Sequence, residues 1–71
     1  MDIYTFFSEH VPQAYSQALR NRVINSLEHC GITTMDELCA LTRNDLKRVR
    51  NMGEKSQALA LLMREMYAAE K

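Results

Sequence analysis

Two capping signals, Thr34 with Glu37 and Thr42 with Asp45, stand between Gly31 and Gly53 and divide that stretch into short helices. In the first pair a hydroxyl side chain is followed three residues later by glutamate, the spacing of a capping box, and then by the apolar Leu38 and Leu41. The second pair resembles it less strongly and leads to Leu46 and Val49. Each such helix has room for about two turns, too few to persist without tertiary packing. Whatever lies on either side of this segment must therefore supply a core for it.

Helical periodicity continues outward in both directions. Tyr15, Leu19, Val23 and Leu27 form one stripe at helical spacing, while Arg22, Asn25, Ser26 and His29 form a second, polar stripe on the same segment. Gly31 suits the position just past that helix's end. Pro12 suits the helix's first turn, where a missing N–H costs nothing. After the break at Asn51-Met52-Gly53, a last helix is expected from about Glu54 towards Ala69, with Leu59, Leu62, Met63 and Met66 as its apolar stripe. Ahead of His10-Val11-Pro12, Asp2 can cap a short helix bearing Ile3, Phe6 and Phe7, the two phenylalanines reading as core or cap residues. No strand-like alternation competes with this pattern. The expectation is an all-α compact bundle of four to five short helices, a single module over 1–71 with residues 1–11 as an N-terminal extension and 12–71 as the core. Seventy-one residues allow one core and no cleft between two domains.

Composition excludes several classes. No window approaches the about 18 apolar residues of a membrane span. No Lys or Arg precedes Arg20, so no secretory leader is read. Cys30 and Cys39 have no ligand-like spacing with His10 or His29, so no metal and no cofactor is expected, and both cysteines read as small buried apolar residues. Neither histidine stands by a nucleophile with an orienting carboxylate, so no enzyme is read here. The Gly53 loop also lacks the spacing of a nucleotide-binding P-loop. A cytoplasmic, nucleoid-associated location follows from these exclusions as an expectation.

Net charge is zero, but Arg43, Lys47, Arg48, Arg50 and Lys55 face only Asp45 and Glu54 within residues 43–55. Within that basic segment, Arg50-Asn51-Met52-Gly53-Glu54-Lys55-Ser56 reads as a glycine loop opening directly into a helix. A helix start offers free N–H groups and the positive end of the helix dipole, Lys55 adds a full charge, and Ser56 adds a hydroxyl donor. The paired short helices before the glycine have the rhythm of a helix-hairpin-helix, a backbone-binding nucleic-acid element.

The run Arg22-x-x-Asn25-Ser26-Leu27, Gly31-Ile32-x-Thr34, Glu37-Leu38, Thr42, Leu46 and Val49-Arg50-Asn51-Met52-Gly53-x-Lys55-Ser56 resembles the C-terminal domain of the bacterial RNA polymerase alpha subunit. The resemblance spans about Leu19 to Met66 without an insertion between Arg22 and Gly53. It implies that Arg22 enters the minor groove of A+T-rich double-stranded DNA, with Asn25 and Ser26 supporting it from the same helix. It also implies that Gly53, Lys55 and Ser56 clamp the backbone; Arg50 and Asn51, in the basic loop just before them, are read as additional phosphate contacts. A narrow A-tract groove concentrates negative potential and attracts an inserted arginine, so recognition would be shape-biased and salt-sensitive. Three departures stand out: Ser26 replaces the family's cysteine, Leu59 stands where the family often carries an acid, and the acidic lead-in before the arginine is replaced by Tyr4-Thr5-Phe6-Phe7. With no assembly domain ahead of Met1, a stand-alone relative is expected. The alternative reading is a protein-interaction module that binds polymerase, a sigma factor or a transcription regulator. Its five methionines and the N-terminal aromatics would supply an adaptable apolar contact.

Overall fold

The computed structural model describes residues 1–70 and is all-helical, with five helices in sequence order. They are α1 (Ile3–His10), α2 (Gln17–His29), α3 (Met35–Cys39), α4 (Arg43–Lys47) and α5 (Glu54–Glu70). The helix α5 is the hub: α2 and α3 pack against it, and α1 packs against α2. The core joins Ile3, Phe6 and Phe7 of α1 to Val23, Ile24 and Leu27 of α2, Met35, Leu38 and Leu46 of the short helices, and Leu59, Ala60 and Met63 of α5.

Each of the first four helices starts on a side chain that accepts a first-turn N–H. Asp2 caps α1 through Thr5 N, and Ser16 caps α2 through Leu19 N. Both expected capping boxes are complete. Glu37 reaches back to Thr34 N at 3.1 Å, and Asp45 reaches Thr42 N at 3.0 Å, so the second box is as fully made as the first. Gly31 ends α2 as expected, with a φ of 81°. There Ile32 N donates to Leu27 O and Gly31 N to Glu28 O, the paired bonds of a Schellman ending.

Three expectations are corrected. Pro12 does not open α2: it begins a turn closed by Tyr15 N donating to Pro12 O at 3.0 Å, and the helix waits for the Ser16 cap. A serine cap satisfies an orphan donor, which proline at that position cannot do. Residues 1–11 are no mere extension ahead of a core that starts at residue 12. Ile3, Phe6 and Phe7 are at most 1% exposed, and the N-terminus is pinned by Ile3 N to Thr33 O and Met35 N to Met1 O. Cys30 is exposed, because it caps the end of α2 where the backbone turns outward; Cys39 is half-buried.

Polar ties hold α3 against α5. Cys39 Sγ donates to Arg64 O at 3.9 Å, Arg64 Nη2 donates to Cys39 O at 3.4 Å, and Tyr67 Oη donates to Asp36 Oδ1 at 3.2 Å. Phe6 meets the Tyr67 ring edge-on at 5.3 Å and lies 4.3 Å from the His10 ring, which closes α1 over the far end of α5. The opposite end of α5 is left to the loop that enters it. No described helix is long and apolar enough to cross a membrane.

Candidate nucleic-acid interface

Arg22, Asn25 and His29 recur at three, four and seven residues along α2, which places them on one face of that helix, and all three are exposed. Val23, Ile24 and Leu27 face the core and fix the helix's rotation, so the polar stripe is turned outward by the burial of its neighbours.

The loop from α4 to α5 approaches this stripe. Val49 and Met52 are buried anchors, while Arg50, Asn51 and Gly53 between and beyond them are exposed. The backbone reverses at Asn51, whose φ of 62° lies in the left-handed region that asparagine tolerates better than most residues. Gln57 Nε2 donates to Met52 O at 3.3 Å and Gln57 N to Gly53 O at 3.0 Å, tying the loop to the first turn of α5. Gly53 therefore holds the capping position of α5 and has no side chain to accept a first-turn N–H, unlike the caps of α1 to α4. Its φ lies outside the left-handed region, and a Cβ at Gly53 would meet nothing within 4 Å. Nothing in the fold requires a glycine there.

The surface between these elements is continuous. A depression of about 640 Å³ brings Arg22 of α2 together with Lys55 and Ala58 of α5, beside Tyr15 and Leu19. A second, of about 560 Å³, gathers Asn21, Arg22, Asn25 and His29 with Asn51 of the loop, over Ser26. A third, of about 320 Å³, joins His29 and Cys30 to Arg50 and Asn51. Arg22, Asn25, Arg50, Asn51 and Lys55 are thus brought together, with Gly53 exposed where the loop enters α5. Three cations, Arg22, Arg50 and Lys55, give this face a positive character that the net charge of zero conceals.

Two predicted contact residues are not presented in the same way. Ser26 is 6% exposed, beneath the second and third depressions, and Ser56 is 2% exposed in the first turn of α5. The Ser56 hydroxyl is not offered to solvent, because α5 turns that face inward with Leu59, Ala60 and Met63. Asn21 and His29 belong to the same surface although they were not among the expected contacts. His29 carried a signal, its place on the Arg22 stripe; Asn21 carried none beyond adjacency to Arg22. Among the described residues, no group of three or more His, Cys, Asp or Glu side chains is placed to hold a metal ion.

Residues 18–58 match the family described as the C-terminal domain of the bacterial RNA polymerase alpha chain. A stretch of 38 residues is 50% identical to the DNA-directed RNA polymerase subunit alpha of Deinococcus radiodurans, covering 54% of this protein and 11% of that subunit. The match thus takes in a small part of its relative's length. No solved structure matches the protein.

Proposed function

The protein belongs to the family of the C-terminal domain of the bacterial RNA polymerase alpha subunit, and on that premise we propose that it is a transcription-related DNA-binding module that reads the minor groove of A+T-rich duplex. The observation that carries this reading is the convergence of Arg22, Asn25, Asn51 and Lys55, from three separate segments, around two adjoining depressions. Arg22 enters the narrowed groove, where phosphates on both sides reinforce the negative potential. Asn25 donates and accepts at its rim. Lys55, Arg50, Asn51 and the uncapped backbone at Gly53 hold the phosphates of one strand. Ser26 and Ser56, both buried, support this face from beneath: Ser26 lies under the depressions shared with the Asn51 loop, and Ser56 lies in the first turn of α5 beside Lys55.

Gly53 supports the same reading. A glycine that the fold does not need is explained by a partner backbone that comes close to it. Recognition of this kind relies on charge and shape, so discrimination between sequences is shallow and salt sensitivity is steep. The test is titration of an A+T-rich duplex at two salt concentrations with the native protein and Arg22→Ala. Three cationic contacts predict a slope of log affinity against log salt of about −2.7, which falls in magnitude by about 0.9 in the variant. No binding at low salt, or an unaffected Arg22→Ala, overturns the reading.

Contact with polymerase, a sigma factor or a transcription regulator is a second reading, favoured by Met1, just ahead of α1, and Tyr4, on α1, which are 52% and 56% exposed. Phe6 and Phe7 give it no support, since both are wholly buried.

A further inference from the structure

His29 lies in the last turn of α2, exposed, and borders two of the three depressions of the candidate interface. In one it stands with Arg22, Asn25 and Asn51; in the other it stands with Arg50. It is the one imidazole on this face. The other histidine, His10, stacks on Phe6 and lies 3.6 Å from Glu70, at the α1–α5 contact.

We propose that His29 is a further DNA-contacting residue, whose imidazole in its protonated form takes one backbone phosphate at the edge of the Arg22 groove contact. The proposal rests on the DNA-binding reading above and deepens it. The geometry supplies the reason: a strand held by Arg50 and Asn51 on one side and by Arg22 on the other runs past the residue that lies between them. The charged and titratable groups around His29 are Arg22 and the Cys30 thiol on its own segment and Arg50 from the α4–α5 loop, with Glu28 next to it in sequence.

Arg22 and Arg50 border the two depressions beside His29, and no carboxylate lines either of them. A bound phosphate favours the imidazolium. Binding in this way takes up a proton, so affinity is expected to rise between about pH 8 and about pH 6. One added phosphate contact steepens the salt slope by about 0.9.

The experiment is fluorescence titration of an A+T-rich duplex at about pH 6 and about pH 8, each at two salt concentrations, with the folded state of every variant checked by circular dichroism. The proteins are the native sequence, His29→Gln, His10→Gln and Arg22→Ala. The native protein is expected to bind about three- to ten-fold more tightly at the lower pH, with the steeper slope. His29→Gln should match the native protein at the higher pH and show neither gain at the lower; His10→Gln should keep both. A pH-independent native affinity that still collapses in Arg22→Ala overturns the role of His29 and leaves the DNA reading standing. A pH dependence that persists in His29→Gln, or vanishes in His10→Gln, also overturns it. Absence of binding by the native protein at both pH values overturns the DNA reading and this proposal together.

Discussion

Gly31 and Gly53 separate two reasons for having a glycine. At Gly31 the backbone is left-handed, with a φ of 81°, and ends α2. A Cβ there would meet no neighbouring atom, so Gly31→Ala pays only backbone strain, about 1–2 kcal/mol, read as a lowered melting temperature. At Gly53 the backbone is ordinary and the space open. Gly53→Ala should cost less than about 1 kcal/mol in stability, from the poorer helix cap alone, yet weaken duplex binding several-fold. Thermal melting and a binding titration on the same two variants distinguish the cases. A large stability loss at Gly53 would remove the argument that its glycine serves a partner. Asn51 is the other conformationally special position, its φ of 62° lying where a β-branched side chain would be strained.

Among the elements, α3 and α4 depend most on their caps, because each is only five residues long. The Glu37 carboxylate is held below its ordinary value of 4.5, first by the Thr33 N–H and then by the Thr34 hydroxyl and N–H. Asp45 is held below 3.8 by the Thr42 N–H and then by its hydroxyl. A carboxylate whose folded value is depressed contributes stability that is fully present above its ordinary value and disappears as pH falls through the lower folded value. Melting temperature should therefore be level near neutrality with respect to these two groups and decline as the pH drops below about 4.5. In the Glu37→Gln, Asp45→Asn double variant the decline should be shallower, and an unchanged acid limb would assign it elsewhere.

The whole molecule is small enough that every part of the core counts. Phe7 is fully buried, and Phe7→Ala should cost about 3–5 kcal/mol in a denaturant titration, a large fraction of what a domain of this size possesses. Deleting residues 1–11 removes Ile3, Phe6 and Phe7 together with the backbone bonds to the α2–α3 turn, so the shortened protein should fail to give a cooperative melt. A cooperative transition in that deletion would restore the division at residue 12. Size also limits what one molecule can cover. Its longest extent is 26 Å, and duplex DNA rises about 3.4 Å per base pair, so a duplex bound as proposed would lie along one copy for about eight base pairs.

Much of this was legible along the sequence because the signals are local. Helix starts at Asp2, Thr34 and Thr42, the stop at Gly31 and the outward stripe of Arg22, Asn25 and His29 each depend on residues within about one or two turns of one another. The family was legible for a related reason: its residues keep fixed spacings from Arg22 to Ser56. What local pattern could not carry was decided by packing between distant segments. It buried Ser56 against the core while leaving Lys55 beside it in solvent, pinned the N-terminus to the segment that enters α3, and exposed Cys30. The meeting of Arg22 with Lys55, and of His29 with Arg50, likewise exists only because α5 docks on α2 and carries the Asn51 loop with it. Periodicity states which face of a helix is apolar; only the other helices determine which neighbours its polar face will have.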